Sequence, residues 1–118
     1  MRIHTIRIPC TDMQDSEAFY SKLLGCQKAF GGATQGYIGF AVENVSILLE
    51  PVVAGEFEAG RYLGFSFEVP DIHAFYEQLK GEVKFTGPPE TQPWGGIMTH
   101  VTDSSGNVLS MVQVDADA

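Results

Sequence analysis

Few side chains in this 118-residue chain are equipped for chemistry, and they are scattered along it. Cys10 and Cys26 stand in no CxxC spacing, which predicts reduced, buried thiols in a cytoplasmic protein rather than a zinc cage or a disulfide framework. Of three histidines, His73 falls on a helical stretch and reads as solvent-exposed. His100 could serve as a hydrogen-bond partner or as a general base near neutral pH; a structural histidine is the plainer reading. Glu50 could neutralise a ligand cation, or sit solvated at a strand end beside Pro51. Arg7 would need a carboxylate partner if it faced a cavity, and Glu50 can supply one; that pairing would be structural and would weaken a cation site. Trp94, the only tryptophan, lies in a Pro/Gly-rich loop and could stack on a ligand or cap one end of the fold. No Ser-His-Asp spacing, P-loop or dinucleotide fingerprint is present. Gly31-Gly32 and Gly95-Gly96 are too short to suggest phosphate binding and read as loop hinges.

Composition narrows the partners. Seven basic against 15 acidic residues leave a formal charge of −8, so a nucleic-acid duplex or an anionic membrane face would be repelled. Apolar residues make up 44%, enough for a core, and the length argues for a single domain over 1–118. No apolar run is long enough for a membrane span. Met1-Arg2-Ile3-His4-Thr5-Ile6 turns polar too early for a secretory signal, in keeping with a cytoplasmic location.

The elements that must position these residues come in two copies. Asp15-Ser16-Glu17-Ala18-Phe19-Tyr20-Ser21-Lys22-Leu23-Leu24-Gly25 matches Asp71-Ile72-His73-Ala74-Phe75-Tyr76-Glu77-Gln78-Leu79-Lys80-Gly81 at 6 of 11 positions, 56 residues apart. Each copy reads as a short amphipathic helix, with Phe19–Leu23 and Phe75–Leu79 as i,i+4 pairs on the buried face. Asp15 and Asp71 are placed to cap the helix or favour its dipole, and Gly25 and Gly81 to accept positive φ at its end. Ala18 and Ala74 suggest a helix pressed closely onto a sheet. Strand-like runs flank both copies, at 3–9, 27–30, 37–42 and 45–52, then at 63–69, 83–85, 97–102 and 108–114. Glu43-Asn44 and Asp103-Ser104-Ser105-Gly106-Asn107 have the composition of hairpin turns. The chain therefore reads as βαβββ twice, modules 3–52 and 62–114, with 51–61 as linker: an α+β fold. One helix covers one sheet face only, so two modules pairing their sheets into an incomplete barrel would leave a concave cavity.

Two βαβββ modules with DxxAFYxxLxG after each first strand, and Gln92-Pro93-Trp94-Gly95 ahead of the 103–107 turn, resemble the vicinal oxygen chelate superfamily. This is the glyoxalase, bleomycin-resistance protein and extradiol dioxygenase family, and the likeness spans about 3–114. The resemblance implies the fold, and with it a divalent metal held mostly by His and Glu from the first and a late strand of each module. Those positions carry over onto Thr5, Leu48, Phe65 and Ser110. Two of them have no donor atom and two offer only hydroxyls, so the resemblance is to the metal-free binding branch, with no cofactor, no metal ligand and no catalytic residue. A register one residue off would instead recruit His4, Glu50 and His100.

Strand alternation from these anchors brings Arg7, Ser46, Glu50, Phe67, Met98, His100 and Val112 to the same faces. The expected ligand-binding residues are thus Thr5, Arg7, Leu48, Glu50, Phe65, Phe67, Trp94, Met98, His100 and Ser110, mostly apolar and aromatic. For Phe65 and Phe67, plain core packing is the favoured reading over an aromatic cavity wall. By resemblance the ligand is a small planar or cationic compound such as an antibiotic, bound in clefts of a homodimer. A metal-dependent lyase, isomerase or dioxygenase of the same superfamily is the competing reading, and an interaction module holding a partner segment is a third.

Overall fold

The computed structural model describes residues 1–114; positions 115–118, included in the one-domain expectation, lie outside the described residues. The chain divides into two compact units, one formed by Met1–Gly60 with Ser104–Gly106, the other by Arg61–Asp103 and the residues from Asn107 on.

In the first unit β1 (Thr5–Cys10), α1 (Met13–Leu24), β2 (Phe30–Gly32), β3 (Tyr37–Val42) and β4 (Val45–Pro51) follow in order. They form an open sheet ordered β1-β4-β3-β2, in which β1 and β4 are parallel and the other pairs antiparallel. Ile8 pairs with Leu49 and Leu49 with Ile38, while Ile47 pairs with Phe40. All five are buried, making one apolar face on which α1 lays Tyr20 and Leu23. The helix is set by its ends. Asp12 accepts from the Asp15 N–H at 2.8 Å, and Gly25, at φ 69°, donates its N–H to Ser21 O at 3.0 Å. The cap is therefore three residues earlier than Asp15, which lies in the first turn where its charge suits the helix dipole.

The second unit repeats the plan with β5 (Tyr62–Glu68), α2 (Ile72–Leu79), β6 (Lys84–Phe85), β7 (Glu90–Thr91), β8 (Ile97–Thr102) and β9 (Val108–Gln113). Its open sheet runs β5-β9-β8-β6, with β7 also on β8, and β5 parallel to β9. Leu109, Met111 and Val101 are buried with Ile72 and Leu79 of α2. The 83–85 run continues as β7 only after a break, because Pro88 and Pro89 have no N–H to add to a ladder. Both buried, Asp103 and Asn107 close the β8–β9 turn: the Asn107 N–H and Nδ2 donate to the Asp103 carboxylate at 3.0 and 3.1 Å.

Three local expectations are corrected. Ala18 and Ala74 are exposed; the repeat position that meets the sheet is Ser16 in one copy and Ile72 in the other, both buried. Gly81 does not enter the left-handed region, because α2 ends through Lys80 in right-handed geometry and Val83 returns its N–H to Leu79 O at 2.8 Å. Of the expected i,i+4 pairs, Leu23 and Leu79 are buried while Phe19 and Phe75 are half-buried, and the deepest aromatic of α1 is Tyr20. Among the described residues no helix is long and apolar enough to cross a membrane.

Two glycines test the local geometry. Gly25 needs its left-handed φ but has open space around it, so Gly25→Ala should cost about 1–2 kcal/mol. Gly31 combines φ 81° with a Tyr37 carbonyl that a Cβ would overlap, so Gly31→Ala should lose more, read as a lower urea midpoint at unchanged slope.

Candidate functional site

Each sheet has one face under its helix and a second face turned away from it, and period-two alternation assigns the candidates between them. In the first unit Thr5 pairs with Ser46, Arg7 with Leu48, Pro9 with Glu50, Leu48 with Gly39, and Gly39 with Phe30. A row of Arg7, Leu48, Gly39 and Phe30 thus crosses all four strands on the face away from α1. Gly39 has no side chain, and the Phe30 ring occupies the space a Cβ would need. Tyr37 stands beside Phe30, ring centroids 6.3 Å apart.

Arg7 is held on two sides. Its Nε donates to Glu50 Oε1, and its guanidinium lies 4.5 Å over the Phe57 ring. The structure therefore joins the two residues whose pairing the sequence raised, and the Glu50 carboxylate is engaged by a cation of the protein itself. With side chains 57% and 27% exposed, the pair is screened by water and contributes little to stability. His4 is exposed and shares a hydrogen bond between Nδ1 and the Thr5 hydroxyl at 2.6 Å.

In the second unit His100 pairs with Ser110 and Ser110 with Ser66, while Met98 pairs with Val112 and Val112 with Glu68. Met98, His100 and Ser110 consequently share the face away from α2. Tyr62 meets the His100 ring edge-on at 6.0 Å. Phe65 and Phe67 do not join them. Phe67 pairs with buried Met111, and the Phe65 ring sits 5.2 Å from the Phe67 ring, so both turn to the helix side. A one-residue shift reverses every side chain of a strand. The helix caps show where the shift lies: Thr5 precedes its cap Asp12 by the same interval as Gly64 precedes Asp71, so Gly64, not Phe65, is the counterpart of Thr5.

Trp94 is 56% exposed. Its ring folds over Gly96 within a turn closed by the Gly95 N–H to Gln92 O at 2.9 Å and the Gln92 N–H to Gly96 O at 2.8 Å. A depression of about 200 Å³ opens along β8, lined by Thr86, Gly87, Glu90, Gln92, Met98 and His100, with Pro88 and Thr99. Two candidates, Met98 and His100, line it; Trp94 does not. Glu90 and Gln92 were not legible as site residues because β7 is two residues long and shows no alternation. Phe57 lies in the linker, which has no periodic signal; a bridge with Val53 and the Arg7 guanidinium over its ring hold it.

At the positions that the resemblance assigns to a metal, Thr5 and Ser110 offer hydroxyls, and Leu48 and Gly64 offer no side-chain donor. Neutral hydroxyls alone do not fit a divalent transition ion. Among the described residues no three His, Cys, Asp or Glu side chains form a group able to hold one.

A family model described as the Glyoxalase/Bleomycin resistance protein/Dioxygenase superfamily matches residues 2–111. A member of that superfamily from Sphaerobacter thermophilus DSM 20745 is similar over 96% of this chain and 97% of its own, at 26% identity and a TM-score of 0.82. An antibiotic binding protein from Streptomyces sp. CB03234 covers 96% and 95% at 20% identity, TM-score 0.80. A lactoylglutathione lyase from Agrobacterium tumefaciens covers 95% and 92% at 16% identity, TM-score 0.78. Among curated proteins none matches this sequence.

The exposed ion pair makes a clear expectation. Arg7→Ala and Glu50→Ala should each change unfolding free energy by no more than about 1 kcal/mol, an effect that shrinks further in high salt. Urea titrations at low and high ionic strength check this; a larger loss would make the pair a structural strut.

Proposed function

The chain belongs to the glyoxalase/bleomycin resistance protein/dioxygenase superfamily, and from that premise we propose that it captures a small planar or cationic compound, such as an antibiotic, without a metal and without chemical turnover. The observation that carries this reading is the donor set. The four positions where relatives would hold a metal present Thr5, Leu48, Gly64 and Ser110. Substrate activation through a Lewis acid has nothing to build on there. What the sheet faces offer instead is contact surface: Leu48, Phe30 and the Arg7-backed Phe57 ring in one unit, Met98 and Tyr62 in the other.

The antibiotic binding relative from Streptomyces lends this reading support, since it has the same fold. A depression of about 200 Å³ is smaller than a drug-sized site, which supports a homodimer in which a second copy completes the cleft. The net charge of −8 supports partners other than nucleic acid or an anionic membrane surface.

One observation favours a second reading. Among the described residues the His100 imidazole takes part in no hydrogen bond, only a ring contact with Tyr62, and a free imidazole in a depression can act as a general base. On this reading the chain is a lyase, isomerase or dioxygenase of the superfamily.

Elemental analysis of tag-free protein, followed by calorimetry with nickel, zinc, manganese and iron(II), is expected to find no stoichiometric metal and no tight site. Stoichiometric metal would overturn the proposal and make His4, Glu50 and His100 the first residues to replace. His100→Ala should lower ligand affinity severalfold and nothing else. A loss of turnover of about 100-fold or more, on any substrate, would establish the enzyme instead.

A further inference from the structure

The hydrogen-bonding inventory of the depression along β8 points to the ligand chemistry it takes. Its hydroxyl protons are already committed: Thr99 Oγ1 donates to Gly87 O at 2.7 Å, and Thr86 Oγ1 reaches His100 O at 3.5 Å. The Thr86 N–H also goes to His100 O, at 3.0 Å, and Pro88 has no N–H. Gln92 spends one amide proton on Glu90 O at 3.0 Å. Among the lining side chains there remain as acceptors the hydroxyl lone pairs, the Gln92 Oε1, one imidazole nitrogen and the Glu90 carboxylate, against two donors, the second Gln92 amide proton and the other imidazole nitrogen. Among the described residues Glu90 is in no ion pair and its carboxylate in no hydrogen bond, in contrast to Glu50, which Arg7 occupies. No lysine or arginine lines the depression.

We propose that this depression is a subsite for a protonated amine or amidinium, with Glu90 as its counter-ion, Gln92 and His100 as further acceptors, and Met98 as the apolar floor. The inference rests on the small-molecule-binding reading and assigns the cationic end of the ligand to β7 and β8, not to Glu50. A charged donor meeting a carboxylate and neutral acceptors makes stronger bonds than a neutral one, so the site selects by charge. An anion meets the Glu90 carboxylate, and no lysine or arginine lines the depression to offset the repulsion. The net charge of −8 raises the local concentration of cations in the same direction.

Benzamidinium, benzamide and benzoate are three probes of one shape and three charges. Amide-resolved NMR titration of the full chain should show benzamidinium shifting Gly87, Met98 and His100, with an affinity at least tenfold above benzamide and no response to benzoate. Glu90→Gln, an exposed and nearly isosteric change, should remove at least tenfold of the benzamidinium affinity, while Glu56→Gln leaves it unchanged. Equal affinity for amide and amidinium, shifts confined to other strands, an indifferent Glu90→Gln variant, or no response to benzamidinium at millimolar concentration would each overturn the subsite. Those failures are distinct from failure of the parent reading. A neutral planar compound binding the face of β1 and β4 would preserve capture without the cation subsite, whereas stoichiometric metal would remove the parent reading whatever benzamidinium does.

Discussion

The parallel pairing of the first and last strands of each unit, β1 with β4 and β5 with β9, is the constraint on which the other features depend. Parallel neighbours cannot be joined by a tight turn, so the chain must leave β1, cross through a helix and two further strands, and return alongside it. That route places α1 and α2 on one face of their sheets and leaves the other face to carry the remaining side chains. Once Ile8 is set against Leu49, alternation sends Arg7 and Leu48 to the far side with no further choice. The site residues are in this sense a by-product of core register. The apolar partners decide the face because Ile8, Leu49, Ile38, Ile47 and Phe40 must all leave water together.

The electrostatic character of the two far faces differs, and the difference is local. On the first, a cation and an anion of the protein meet each other over an aromatic ring. On the second, the Glu90 carboxylate opposite Met98 has no ion-pair partner among the described residues, and Lys84 stands farther along the sheet, opposite Thr102. An acidic chain as a whole says little about ligand sign, because most of its carboxylates are solvated. Glu50 and Glu90 show the point: one strand position has Arg7 for a neighbour and the other has none, and only the second has a charge to offer.

Much of the plan was legible in the chain. The repeated DxxAFYxxLxG, with strand-like runs on either side, carried the βαβββ duplication, because helix period and strand period leave different apolar spacings. The 103–107 turn was legible from its composition, and the buried Asp103–Asn107 pair explains why those types stand there. The errors share one cause. Sequence spacing locates an element to within a residue or two, whereas the face of a strand changes with every residue. The anchor at Phe65 is one position off, so the Phe65 and Phe67 rings go to the Met111 side and not to a cavity. Ala18 and Ala74 recur, yet they stand two residues, about half a turn, from the buried Ser16 and Ile72 and so lie on the exposed side.

The sequence by itself determined the duplicated plan of a strand, a helix and further strands, and with it the α+β class, since these depend on periods that need no partner. It also placed Arg7 and Glu50 on strands that could meet. Tertiary structure alone decided that they do meet and that Phe57 lies beneath them, because the linker bearing Phe57 has no periodic signal. It alone set Gly64 in the place expected of Phe65, added β7 beyond the expected 83–85 strand, and brought Glu90 and Gln92 to the depression beside His100. The reason is the same in each case: hydrogen-bond register between strands is a relation between distant segments, fixed by which apolar side chains bury together, and no local pattern encodes it to the single residue on which the facing of a side chain depends.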